Sequence, residues 1–162
     1  MRNSQIGNLN YMSQALELAR VASNLGEVPV GAVVVNSKDG KLVASAINRI
    51  QTKCDPTAHA EILAIRDAAL NLKSPKLQYC DIYVTLEPCA MCAQAISLAR
   101  IRRLYFAASD TKGGAVENGA RIFTHSTCNH RPEVYSGIGE LESAKMLKEF
   151  FKSLREKRST SY

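Results

Sequence analysis

Two short stretches constrain this chain more than anything else in it: His59-Ala60-Glu61, and Pro88-Cys89-Ala90-Met91-Cys92. One imidazole and two thiolates are the donors of a three-ligand zinc site, and three protein ligands leave the fourth tetrahedral position open. Glu61 is then a carboxylate beside the metal rather than on it, able to move protons for an activated water. The 26 residues between Glu61 and Pro88 are enough for a helix, a turn and a strand. A redox pair is the rival reading of Cys89-x-x-Cys92 alone, and the upstream His59 and Glu61 favour metal. Cys54, Cys80 and Cys128 have no such partners and are expected to pack as small apolar residues.

The rest of the chain reads as alternating elements. Met12, Leu16, Ala19 and Leu25 stand near helical spacing within residues 9–25, and Gly26 is a suitable stop. Val28 to Asn36 is too continuously apolar to be half exposed and is predicted to be a central strand. The Asp39-Gly40 turn signal makes Lys41 to Ile47 its hairpin partner. Asp55-Pro56-Thr57 opens the next helix, with either Asp55 or Thr57 as its cap. His59 and Glu61 then lie in the first turn of a helix running to about Ala69, with Ile62, Leu63, Ile65, Ala69 and Leu70 facing the sheet.

A strand over 79–86, a helix from Pro88 to about Arg100 and a strand over 103–108 follow. This succession is α/β, with parallel pairs joined by crossover helices. Residues 109–136 show little regular pattern, and a segment that long is usually functional. Residues 140–158 read as a final amphipathic helix, with Leu141, Ala144, Leu147, Phe150, Phe151 and Leu154 on or beside one stripe. The 162 residues are expected to form one domain.

Placing both motif stretches at helix N-termini has an electrostatic consequence. The free amides and macrodipole there favour the two thiolates and keep His59 neutral. The i, i+3 spacing puts Cys89 and Cys92 on one face of a turn. His59 and Glu61 lean past the helix end, so that the imidazole can reach a metal while the carboxylate reaches only the water.

The formal charge is +6 and unevenly spread. Between Leu98 and Arg131, Arg100, Arg102, Arg103, Lys112, Arg121 and Arg131 face only Asp110 and Glu117, a local net of +4. Such a surface suits a polyanionic substrate, because phosphate contacts supply most non-specific nucleic-acid affinity. The same surplus would also serve solubility alone. No stretch approaches the roughly 20 apolar residues of a membrane span and no secretory leader is recognisable, so a soluble cytoplasmic protein with no membrane partner is expected.

H-x-E followed by P-C-x-x-C is the signature of zinc deaminases that act on nucleobases. Longer stretches narrow the resemblance: V-P-V-G-A-V (Val28 to Val33), Asn48, D-P-T-A-H-A-E (Asp55 to Glu61), V-T-L-E-P-C-A-M-C (Val84 to Cys92), Asp110-Thr111-Lys112-Gly113-Gly114 and N-H-R-P-E-V (Asn129 to Val134). Nearly end to end, the chain resembles the bacterial tRNA-specific adenosine deaminases of the cytidine deaminase-like superfamily. The zinc motif is shared with guanine, cytosine and deoxycytidylate deaminases. N-H-R-P-E-V and the Phe150-Phe151-Lys152 helix end are particular to the tRNA branch.

The resemblance implies a three-layer αβα fold, with a central mixed five-stranded sheet, helices on both faces and a C-terminal helix at about 140–158. It implies a homodimer with one zinc per subunit that converts adenosine to inosine at the wobble position of a tRNA anticodon, typically in an arginine tRNA. The anticodon stem-loop would be the partner, with the base flipped into the pocket. His59, Cys89 and Cys92 match the zinc ligands, Glu61 the proton shuttle and Asn48 the residue that hydrogen-bonds the nucleoside. Asp110 and Lys112 match positions that touch the anticodon loop, and Phe150, Phe151 and Arg155 fall where the family's last helix packs on it.

Spacing alone leaves Asn48 readable as a turn residue, and it favours the core for at least one of Phe150 and Phe151. Two other functions fit the metal motif. A deaminase of free guanine, cytosine or a nucleotide would not need the basic segment or the last helix. A non-catalytic, zinc-stabilised RNA-binding module would have no use for Glu61.

Overall fold

A computed structural model of the chain describes residues 2–159, with side chains from residue 10 onward. Strands β1 (Gly31–Asn36), β2 (Leu42–Ile47), β3 (Cys80–Leu86), β4 (Arg103–Ala108) and β5 (Glu133–Ser136) form one mixed sheet in the order β2-β1-β3-β4-β5. Helices α1 (Arg2–Asn24) and α5 (Glu140–Ser159) cover one face, and α3 (Ala60–Asn71) and α4 (Ala90–Leu98) the other. The single-turn α2 (Ile50–Lys53), which the sequence did not announce, follows β2. This is the three-layer αβα arrangement that the resemblance implies.

Strand alternation builds two cores. Ala32 and Val34 of β1, Ile82 and Val84 of β3, and Leu104 and Phe106 of β4 face α3 and α4. Val33 and Val35, Tyr83, and Tyr105 and Ala107 face α1 and α5. Both faces are covered, so a run such as Val33-Val34-Val35 is apolar at every position. Tyr83, Tyr105 and Tyr135 sit in register on adjacent strands and stack with ring centroids 4.4 and 5.0 Å apart. Gly31 opens β1 because α1 crosses it closely: a Cβ there would press on the Ala15 carbonyl and the Ala19 backbone.

The strand directions differ from the sequence reading. β1 is interior, but it runs antiparallel to both β2 and β3, and only β3 with β4 and β4 with β5 are parallel. The crossover through α3 joins β2 to β3, which point the same way with β1 inserted between them. Strand β5 lies within the segment read as irregular. It is a four-residue edge strand with a mostly exposed pattern, so no apolar run marks it.

Helix faces are displaced from the expected stripes. Helix α3 meets the sheet through Ala60, Ala64 and Ala68, with Ile62 also buried, while Leu70 is 75% exposed. Leu63, Ile65 and Ala69 are only partly buried. Small side chains at i, i+4 and i+8 let the helix backbone approach the sheet, and the larger residues fall to its margins. Helix α5 packs through Ser143, Met146 and Phe150, leaving Leu141, Ala144 and Phe151 exposed. The buried Ser143 hydroxyl donates to the Thr85 carbonyl, a contact no apolar stripe reveals.

Leu25 falls in the turn after α1 and is exposed. Neither Asp55 nor Thr57 caps α3. Asp55 instead accepts from the Thr57 amide and hydroxyl, closing a local turn five residues before the helix starts. Cys80 and Cys128 are buried, as packing residues should be, whereas Cys54 is exposed at the end of α2.

Candidate active site and metal centre

The sheet brings its functional loops to one end. Asn48 follows β2, Glu87 to Cys89 follow β3, and Ser109-Asp110 follow β4; antiparallel β1 contributes the residues before it, Glu27 to Val30. A cavity of about 230 Å³ opens there, lined by Val28, Asn48, His59, Glu61, Glu87 and Asp110 among others. Crevices at strand carboxyl ends are where open α/β sheets bind ligands.

His59 and Cys89 are the N-cap residues of α3 and α4, and neither side chain caps its helix. A serine or aspartate in each place would add about 1 kcal/mol of helix stability. Here imidazole and sulfur turn toward one another instead. His59 Nδ1 lies 3.7 Å from Cys89 Sγ and 3.6 Å from Cys92 Sγ, and the three donor atoms lie within 4.8 Å of one another. Bonds of about 2.0 Å to nitrogen and 2.3 Å to sulfur in a tetrahedron separate N and S ligands by about 3.5 Å, so the residues fit zinc in spacing as well as in donor type. Among the described residues this is the one such cluster of potential metal ligands.

Hydrogen bonding and burial shift the three donors in different directions. The hydrogen bond from Cys92 brings Cys89 down to about 4, against burial and with help from His59. Cys92, which carries the shared proton, is pushed up by that same bond and by burial. The bond to Cys89 also raises His59, so the neighbouring thiolate outweighs the helix end that alone would keep the imidazole neutral. Ligation by His59 and Cys92, the two raised groups, therefore releases protons, whereas Cys89 is already a thiolate. Glu61 is 4% exposed, and burial pushes its carboxyl up to about 7 against the opposing effects of its own backbone N–H and His59. It lines the cavity without joining the three converging donors.

Two buried carboxylates that the sequence reading did not single out hold the cavity walls. Glu87 accepts from the amides of Asp110 (2.9 Å), Val116 (3.2 Å), Glu117 (2.9 Å) and Asn118 (2.9 Å), and from Asn118 Nδ2 (2.7 Å). Residues 110–118 thus wrap around one side chain. Gly114 lies so close that a Cβ would collide with Glu87 and with the Asp110 carbonyl. Asp110 in turn accepts from the Lys112 and Gly113 amides, both at 3.0 Å. Glu27 holds Asn48 and the start of α2. Each carboxylate sits directly beside an apolar strand run, Glu27 before Val28 and Glu87 after Leu86, and that position was the available signal.

Of the other substrate-binding candidates, Asn48 and Asp110 reach the cavity. Lys112 and Arg155 lie exposed on their loop and helix. Phe150 is buried and lines a neighbouring cavity of about 340 Å³ that shares Val28, Asn48 and Ile50 with the first. Phe151 is 43% exposed and meets the Phe150 ring edge-on at 5.5 Å.

The basic segment loses two of its charges. Arg102 pairs with Asp81 through two bonds of 2.8 and 2.6 Å, and Arg103 pairs with Glu133 at 2.8 Å, because β3 and β5 flank β4. Arg100, Lys112, Arg121 and Arg131 remain exposed. His130 of the N-H-R-P-E-V stretch is a tether: its Nε2 bonds the Ile101 carbonyl at 2.6 Å, and its own carbonyl accepts from Ser97 of α4.

The chain matches the family model of MafB19-like deaminases over residues 6–155. It is 54% identical over 146 residues to the tRNA-specific adenosine deaminase of Agrobacterium fabrum, covering 90% of this chain and 95% of that protein. Its identity to the tRNA-specific adenosine deaminase of Bacillus subtilis is 40%, over 93% of this chain and 92% of that protein. A solved structure from work on A-to-I editing by tRNA:A34 deaminases at the wobble position superposes with a TM-score of 0.82 at 54% identity, over 85% of this chain and 99% of that one. The guanine deaminase of Nitrosomonas europaea superposes with a TM-score of 0.72 at 25% identity, over 88% and 83%.

Proposed function

The chain belongs to the tRNA-specific adenosine deaminases, and from that premise we propose that it hydrolyses adenosine to inosine at the wobble position of an arginine tRNA, binding the anticodon stem-loop. The observation that carries the reaction is the convergence of His59, Cys89 and Cys92 at a cavity whose wall also holds Glu61, and the likeness to tRNA-specific adenosine deaminases supports the substrate. Zinc, held by those three residues, would supply a positioned and acidified water. Glu61 takes a proton from the attacking water and delivers it to the ring nitrogen beside the amine-bearing carbon. It then takes the remaining proton from the added hydroxyl, which becomes the carbonyl, and passes it to the amine as the C–N bond breaks, so that adenosine and water give inosine and ammonia. A carboxyl raised toward neutrality by burial is suited to both taking and giving that proton.

A cavity of about 230 Å³ suits one base and not a duplex, which favours a nucleotide flipped out of a loop. A single deaminase domain, a homodimer with one zinc per subunit and a cytoplasmic location complete the reading. In support, α1 and α5 pack on the same sheet, and among the described residues no helix is long and apolar enough to cross a membrane.

Inosine formation in an arginine tRNA anticodon stem-loop, set against ammonia release from free adenosine, cytosine and guanine, tests the proposal. Turnover of the stem-loop alone is expected. Ammonia from free guanine with an untouched stem-loop would replace the substrate, and RNA binding without turnover on anything would make the protein a binding module. If four cations meet phosphates, stem-loop affinity should fall roughly 50-fold between about 50 and about 200 mM salt. An affinity indifferent to salt would remove Arg100, Lys112, Arg121 and Arg131 from the interface.

A further inference from the structure

Glu27 is 1% exposed and takes no part in the proton transfers, yet it keeps a carboxylate inside the protein. Oε1 accepts from the Thr52 amide at 2.7 Å and the Thr52 hydroxyl at 2.8 Å. Oε2 accepts from the Gln51 amide at 3.2 Å and from Asn48 Nδ2 at 3.3 Å. Burial works to raise this carboxyl, but the bonds from Thr52 and Gln51 and the charge of Arg49 outweigh it and hold Glu27 below the usual carboxylate range. The N-cap of α2, Arg49, makes no side-chain cap, so Glu27 satisfies that helix's first amides from across the site.

An ionised carboxylate can only accept hydrogen bonds, so it dictates which end of the Asn48 amide faces it. The nitrogen must turn to Glu27, and the carbonyl oxygen must turn away. Among the described residues Asn48 Oδ1 has no hydrogen-bond partner, and no buried side-chain polar atom lacks one. Oδ1 is therefore not sealed in the protein, and Asn48 lines both the cavity that holds Glu61 and the neighbouring one that holds Phe150.

We propose that Glu27 is a positioning residue that locks the Asn48 amide with its carbonyl oxygen aimed into the cavity, so that the site reads a hydrogen-bond donor on the substrate. This rests on Asn48 touching the substrate, as the proposed function has it. Orientation rather than charge is what Glu27 supplies, because an amide of the same shape would reverse it. In Glu27→Gln the new Nε2 hydrogens face Asn48 and draw its oxygen away from the cavity.

Steady-state kinetics on the stem-loop separate this role from simple anchoring. Glu27→Gln should lower kcat/KM about 10- to 100-fold with metal content unchanged, as small misplacements at a reacting site do. Asn48→Asp, which sets two carboxylates together, should lose a similar amount. In the double variant the carboxylate now at position 48 accepts from the amide now at position 27 with one oxygen and offers the other to the cavity. Its kcat/KM should therefore recover about tenfold over either single change. Thr52→Val removes a bond to Glu27 without touching the Asn48 contact and should stay within about threefold of the parent.

Wild-type kcat/KM in Glu27→Gln, no recovery in the double variant, or an equal loss in Thr52→Val would each overturn the proposal. An independent check uses the unaltered protein: the Asn48 side-chain amide protons should exchange slowly with solvent, and exchange at the rate of an exposed asparagine would overturn the orientation even if a variant fails to fold. If the protein deaminates a free base instead of the stem-loop, the substrate assignment falls, and the same four variants compared on that base still decide the role of Glu27.

Discussion

Glu61→Ala is expected to lower turnover about a thousand- to ten-thousand-fold while bound metal stays near one ion per chain. The residue lines the cavity at the second position of α3, and the converging donors are His59, Cys89 and Cys92 without it. Removing it should therefore take away the proton carrier and leave the ion in place. Inosine formation and elemental analysis on the same preparation check both halves. Loss of metal together with activity would make Glu61 a ligand and sink the role assigned to it. Glu61→Gln should be about as inactive as the alanine variant, since an amide of the same shape neither takes up nor gives up a proton near neutral pH.

The second large effect is on stability. Glu87→Ala should cost about 3–5 kcal/mol, because it leaves the amides of Asp110, Val116, Glu117 and Asn118 without their acceptor. Equilibrium denaturation would show it as a lower midpoint, and a loss under about 1 kcal/mol would mean that the loop finds other partners or water. Activity should fall too, since Asp110 reaches the cavity through this anchor. Burial tends to raise the Glu87 carboxyl, but the bonds from Asp110, Asn118 and Glu117 outweigh it and hold it below the ordinary value of 4.5. A depressed folded pKa contributes stability that is fully present above the unfolded value and is lost as pH falls through the folded one. Glu87→Gln should accordingly flatten the acid limb of the stability curve.

Much of the fold was legible because local chemistry marks it. The strand over 103–108 coincides with β4, and the Asp39-Gly40 signal marks the hairpin between β1 and β2. The elements that escaped have physical reasons. Strand β5 is short, polar and at an edge. Helix α3 docks through alanines, whose small size carries little hydrophobic signal. Helix α5 docks partly through Ser143, so an apolar stripe drawn through Leu141 and Phe151 points at solvent.

The candidate site divides in the same way. The sequence by itself determined the chemistry, because donor types and a three-residue cysteine spacing are local and tolerate few other readings. His59, Glu61, Cys89 and Cys92 could be named with no knowledge of the sheet. Only the tertiary structure decided what surrounds them. The reversal of β1 carries Glu27 and Val28 to the end where β2, β3 and β4 finish, and there two buried carboxylates take hold of the segments bearing Asn48 and Asp110. Those contacts join residues 21 and 23 positions apart. A hydrogen bond at that distance is set by packing, and packing leaves no period in the chain.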